Sequence, residues 1–333
     1  MLTFLTQAVR IGMTLLFGST GETITEKSGH LNLGVPGVMC IGAAFGCVSE
    51  TLYISKVGPL TDGRSFFVYL LAVLIPILAA IIGGALSGLL YSVLTVSLRS
   101  NQNVTGLVLT TFGVGLSKLM ITSVQKKIIS ASAGGVNISF TQASKYFTAS
   151  LPFASKLGVI GKLLFSYGIM IYLAIAIALI VSYVLSKTRL GLHLRSVGEN
   201  PATADAAGIN VSAYRYGATC VGCAISALGG LTFIMDNLNG NWEYIIDAMG
   251  WLSVALVIFT VWKPNIGILG SIIFGGLYIV ASYINGISLA TKELFKILPY
   301  FVTVVVLIIT SIRNKRENQP PAGLGMNYFR EER

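Results

Sequence analysis

Few side chains of this sequence are equipped for catalysis, and they stand apart. The two histidines, His30 and His193, are far from each other, and no H-E-x-x-H, G-x-S-x-G or paired metal-ligand spacing accompanies them. Cys220 and Cys223 form a C-x-x-C pair inside an apolar run with no second ligand pair, so with Cys40 and Cys47 they read as small packing residues. Gly161-Lys162 lacks the upstream glycine and the following Ser or Thr of a phosphate-cradling Walker loop. The expectation is therefore no catalytic residue, no metal ligand and no cofactor-binding residue; if ATP and Mg²⁺ are used, another chain must bind them.

The residues best equipped to act do so by contact. Residues 187–212 read KTRLGLHLRSVGENPATADAAGINVS, a polar stretch between two apolar runs. Gly198 and Glu199 lead into Asn200, which can cap a helix, and Pro201 suits its first position. Good helix formers follow as far as Ala207, and Gly208 stands where a C-cap belongs. The product is a short helix at a membrane surface, with small residues such as Ala204 and Ala207 on which a partner's groove can close. Two flanking spans would pass on any push it receives.

Those spans follow from composition. Of 333 residues, 54% are hydrophobic and 11% charged, with mean hydropathy +0.77, far from the roughly 25% charged residues of soluble chains. Charge-free runs at residues 65–98, 163–186, 216–235 and 264–291 match or exceed the ~20 apolar residues that cross a bilayer as a helix. Period-2 alternation is absent, which argues against a barrel. The N-terminus has no basic start or small-residue cleavage site and reads as a retained first span over residues 2–19. Residues 65–98 form either one long tilted helix or two elements broken near Gly83 and Gly84. The charge-free stretch between Asp247 and Lys263 is too short to cross alone, as in discontinuous helices at transport sites.

The fold expected is all-α and polytopic, about nine transmembrane helices with one or more broken or re-entrant. Residues 1–313 form the transmembrane domain, with an outer excursion at 124–162 and the polar loop at 187–212; residues 314–333 form a cytoplasmic tail. With that loop and the tail inside, nine spans put the N-terminus outside. Lysine and arginine together do not decide the orientation. The arginines favour it, with Arg99, Arg189, Arg195, Arg215, Arg313, Arg316, Arg330 and Arg333 inside and Arg10 and Arg64 outside. The outer excursion holds Lys126, Lys127, Lys145, Lys156 and Lys162 and no acid, so it faces anionic lipid headgroups or an acidic partner. The net charge of +10 comes with no nucleic-acid module, which leaves membrane lipid as its partner. Acids are nearly absent from the spans, which argues against a built-in proton or Na⁺ couple.

Three segments carry a resemblance. Residues 192–211, LHLRSVGENPATADAAGINV, resemble the cytoplasmic coupling loop of permease subunits of ABC importers in the ribose/branched-chain amino acid permease superfamily. Residues 26–43, EKSGHLNLGVPGVMCIGA, are similar to the nucleoside permeases within it, as is NQNVTG at 101–106. The match runs in order over roughly residues 10–310. Pro36 stands where the family usually has Glu, and Lys27 where it has Arg.

The resemblance implies an importer of the bacterial cytoplasmic membrane. Two permeases, often different ones, sit on a pair of ATP-binding subunits and receive cargo from a lipid-anchored binding protein. Arg195, Gly198, Glu199, Asn200, Pro201, Ala204, Ala207 and Gly208 would couple to the ATPase. Nucleosides are the implied cargo, with a simple sugar, an ion-coupled carrier or a non-transporting receptor as alternatives. Asn32, Asn101, Gln102, Asn103 and Thr105 are candidates for the pathway, because amide and hydroxyl groups hydrogen-bond a ribose and base without holding them by charge. Asp236 and Trp242 are candidates for its outer mouth, Trp242 by stacking on a base.

Overall fold

The computed structural model describes residues 2–58, 60, 65–129, 135–150, 158–284, 286, 288–313 and 319–329. The elements among these described residues are helices throughout. They are α1 (Leu2–Lys27), α2 (Val35–Val57), α3 (Phe66–Ser92, continued by a π-helical turn Val93–Ser97), α4 (Gln102–Ile129), α5 (Gly135–Phe147) and α6 (Gly158–Leu164). Then come α7 (Ile169–Lys187), α8 (Arg189–Glu199), α9 (Pro201–Ala206) and α10 (Val211–Thr232, continued by a π-helical turn Phe233–Asn237). The chain ends with α11 (Ile246–Phe259), α12 (Pro264–Ile279, with a 3-10 turn Val280–Tyr283), α13 (Leu289–Phe295) and α14 (Leu298–Arg313). Among the described residues, seven helical stretches are long and apolar enough to cross a membrane: Val35–Val57, Phe66–Ser97, Gln102–Val124, Ile169–Lys187, Val211–Asn237, Pro264–Tyr283 and Leu289–Ile312.

Helix α1 is the axis of the bundle. Nearly every side chain from Ile11 to Glu26 is buried, and α10, α11 and α12 pack around it, with α7 alongside. Lipid tails are as apolar as leucine, so helices in a membrane associate by close packing rather than by a hydrophobic drive, and small residues permit it. A Cβ on Gly21 would come within 2.2 Å of the Gly222 carbonyl oxygen on α10. Across the bundle, a Cβ on Gly84 of α3 would come within 2.5 Å of Ala227 Cβ.

The outside of the bundle is leucine- and valine-rich. Leu78, Ile82 and Leu86 on α3, and Val304, Ile308 and Ile312 on α14, are exposed, apolar faces that suit hydrocarbon.

Several boundaries differ from those expected. The first span does not stop near residue 19: α1 continues to Lys27 and buries Glu22 and Glu26. Residues 65–98 are not broken at Gly83 and Gly84; one helix runs through them, and both glycines serve close approach to neighbours. The polar loop holds two helices, α8 and α9, rather than one. Helix α11 is short, 14 residues, and lies on the start of α2, where a Cβ on Gly250 would come within 2.3 Å of Pro36 Cα. Position 36 thus holds a packing contact. Of the outer lysines, Lys145 is exposed in the last turn of α5. Lys156 and the side chains of Lys126, Lys127, Lys162 and Arg313 lie outside the described residues, as do Arg64, Arg316, Arg330 and Arg333.

Candidate functional site

The polar loop folds by successive caps. Thr188 Oγ1 accepts from the Gly191 N–H at 3.2 Å and starts α8. Asn200 Oδ1 accepts from Thr203 N–H at 3.0 Å and starts α9, with Pro201 in the first turn. Gly208, at φ +84°, turns the chain where a Cβ would be strained. Asn210 Oδ1 then accepts from Ala213 N–H at 3.0 Å and starts α10. Arg195, Glu199, Asn200, Ala207 and Gly208 are exposed. Ala204 is not: it packs with Val197 and Val211 under Tyr214 and Tyr328. The face open to a partner is therefore Ala202, Thr203, Ala206 and Ala207.

Gly198 holds this unit to the bundle. It lies on the end of α1, so close that a Cβ would come within 2.3 Å of the Lys27 carbonyl oxygen. Facing it, Gly29 has φ +81°. Helices α8 and α9 thus rest on the irregular segment 28–34 that joins α1 to α2.

That segment is the densest polar knot of the fold. Asn32 N–H donates to Glu22 Oε1 at 3.0 Å, Asn32 Oδ1 accepts from Gly34 N–H at 2.9 Å, and Asn32 Nδ2 donates to Cys223 Sγ at 3.4 Å. The Leu31 N–H donates to Gln102 Oε1 at 2.8 Å, and the Tyr91 hydroxyl donates to the Leu31 carbonyl. Trp262 Nε1 donates to Glu26 Oε2, tying the α11–α12 turn to the end of α1. His30 Nδ1 lies 2.9 Å from Thr219 Oγ1, whose proton goes to the Arg215 carbonyl at 2.9 Å. His30 must then donate from Nδ1. Burial, aided by the nearby Arg215 charge, pushes its imidazole down to about 3, so it is neutral.

The C-terminal residues 319–329 return to this same end. Gly323 N–H donates to the Gly198 carbonyl at 2.9 Å and Gly325 N–H to that of Gly29 at 3.1 Å. Ala322 N–H donates to Glu199 Oε2 at 3.3 Å, and Gln102 Nε2 to the Met326 carbonyl at 3.3 Å. Asn327 Nδ2 donates to the Arg99 carbonyl at 2.9 Å, and the Arg99 guanidinium lies 4.8 Å from the centre of the Phe329 ring. This strap was not anticipated from the sequence, where residues 314–333 read as a polar tail. The one available signal was GLGMNYF, two glycines and two aromatics after a double proline.

The pathway candidates fall into two groups at opposite ends of α10. Asn101, Gln102, Asn103 and Thr105 lie by the strap, and Asn32 lies deeper on that side, against Cys223 midway along α10. Asn32 and Gln102 are buried with their polar groups engaged, and Thr105 Oγ1 donates to the Asn101 carbonyl at 2.8 Å. Asn101 and Asn103 are exposed. Asp236 and Trp242 lie at the other end. Among the described residues, neither oxygen of the buried Asp236 carboxylate is hydrogen-bonded and the buried Trp242 Nε1 has no partner. Beside them Asn237 Nδ2 donates to Thr14 Oγ1 at 2.9 Å. The two groups form no common site within one chain. Sequence reasoning missed Glu22, Glu26, Tyr91 and Arg215 as members of the inner knot.

Comparison with known proteins bears on this arrangement. Residues 4–307 match the family model described as "Branched-chain amino acid transport system / permease component". The chain is 33% identical over 300 residues to the nucleoside ABC transporter permease protein NupC of Lactococcus lactis, covering 89% of this chain and 88% of that one. It is 29% identical over 299 residues to the guanosine ABC transporter permease protein NupQ of Bacillus subtilis, covering 88% and 87%. No solved structure matches. The capped helix pair, the apolar bundle beneath it and a match over nearly the whole chain agree: this protein belongs to the permease-component family of branched-chain amino acid transport systems.

Proposed function

We propose that the chain is one membrane-spanning subunit of an ATP-driven importer that brings nucleosides into the cell. The carrying observation is Gly198. The exposed helix α9 is linked through it to the segment joining α1 to α2, so a displacement of α9 reaches the axis of the bundle directly. A separate ATPase would hold α9, and its closure on ATP would drive the switch between outward and inward access. The names of both relatives supply the cargo.

In this reading α1 also crosses the membrane, and the short α11 does so together with the turns that flank it, making nine spans. The coupling helices and the strap then lie in the cytoplasm and Leu2 outside. A second permease, different from this one, completes the path, so that Asn101 and Asn103 or Asp236 and Trp242 meet cargo at the interface between the two. A lipid-anchored binding protein delivers it.

The test is uptake into proteoliposomes holding the purified complex with its binding protein and ATP. Guanosine uptake that requires ATP and persists with an uncoupler supports the reading. Uptake of ribose but not of any nucleoside would refute the cargo, and uptake independent of ATP would refute the mechanism.

A further inference from the structure

Beside the coupling helices lies a cavity of about 280 Å³ lined by Thr95, Arg99, Asp205, Ser212, Arg215 and Tyr328, among others. Arg215 is 3% exposed, and among the described residues its buried Nε and Nη2 have no hydrogen-bond partner. An unpaired buried guanidinium is destabilising unless an anion completes it. The cavity also opens on the first turn of α10, a helix of 22 residues, where Asn210 takes only the Ala213 N–H. The N–H groups of a helix start point outward and favour negative charge. Asp205, the one acid among the described lining residues, accepts the Tyr328 hydroxyl at 2.7 Å.

We infer that this cavity binds a phosphate-class oxyanion between Arg99 and Arg215 at the start of α10. A free phosphate, a mononucleotide and a phospholipid headgroup share that chemistry. The bound anion draws together the end of α3, the start of α10 and the strap. It therefore sets the stiffness of the element on which α9 stands, whatever the cargo.

The test uses the full-length permease in phosphatidylcholine nanodiscs, without its ATPase, and equilibrium binding of radiolabelled inorganic phosphate. Adenosine 5′-monophosphate, and nanodiscs doped with phosphatidylglycerol, serve as competitors that distinguish the three sources. Saturable binding by any of the three is expected. It should weaken about tenfold in Arg215→Gln, the loss of one charge-assisted contact, and similarly in Ser212→Glu. Ser212 is exposed, and a carboxylate at a helix start preserves the fold while occupying the site. Absence of saturable binding by all three, or binding that both variants leave unchanged, overturns the inference.

Discussion

The Tyr328 hydroxyl donates a 2.7 Å hydrogen bond to the Asp205 carboxylate, fastening the C-terminal strap to helix α9 across more than a hundred residues of sequence. A bond to a charged acceptor contributes about 1.5–3 kcal/mol. Removing it by Tyr328→Phe should free the strap locally, with amide exchange over residues 322–329 faster by about tenfold or more. Deleting residues 319–333 should go further and raise the ATP hydrolysed per nucleoside imported, because Gly198 and Gly29 lose their shared cover. Unchanged exchange in Tyr328→Phe would show that the bond does not hold the strap.

Gly198 is the point of close approach between α8 and the end of α1. In Gly198→Ala the new methyl would meet the Lys27 carbonyl oxygen at 2.3 Å, and backbone on both sides leaves no flexible atom to yield. Overpacking of this kind costs about 1–3 kcal/mol. The expected result is a less stable permease with poor coupling, read by thermal unfolding and by the uptake-to-hydrolysis ratio. Gly217→Ala is the control: nothing lies within 4 Å of its Cβ, and alanine favours a helix over glycine by up to about 1 kcal/mol.

Much of this was legible in the sequence, and the reasons for the remainder are specific. The start of α9 was legible because Asn200, Pro201 and Gly208 each act on the backbone next to them. Helices α4, α7 and α12 were legible from apolar length alone. What could not be read depends on distant partners. Glu22 and Glu26 look like the polar end of a span, yet the Asn32 N–H and the Trp262 indole let the helix bury them. Asn32 and Gln102 look like groups free to meet cargo until Cys223, Leu31 and Met326 are found to occupy them. Ala204 and Ala207 have the same side chain; only Val197 and Val211, which the fold brings to Ala204, separate an inward methyl from an outward one.

That separation makes a prediction. Arginine at position 207 extends from an exposed site and should leave the protein folded while blocking the groove of the ATPase. Purified Ala207→Arg should keep its melting temperature but copurify with little ATPase. Arginine at position 204 must place a charge among Val197, Val211 and Tyr328, which costs several kcal/mol. Ala204→Arg should therefore fail at expression or melt early. Equal melting of the two would contradict the burial of Ala204.

His30 gives the pH dependence. Its imidazole is held near 3 in the folded protein against an ordinary value of 6.5, chiefly by burial. Between those values the unfolded chain takes up a proton that the folded one refuses, so the folded state is favoured above pH 6.5 and loses stability as pH falls toward 3. The slope from this one group is at most about 1.4 kcal/mol per pH unit. Replacement by glutamine keeps a donor for Thr219 Oγ1 and has nothing to titrate. Melting temperatures measured from pH 7 to 4.5 should fall less steeply in His30→Gln than in the parent protein. Parallel curves would mean that the imidazole titrates alike in the folded and unfolded chain, so that burial does not hold it neutral.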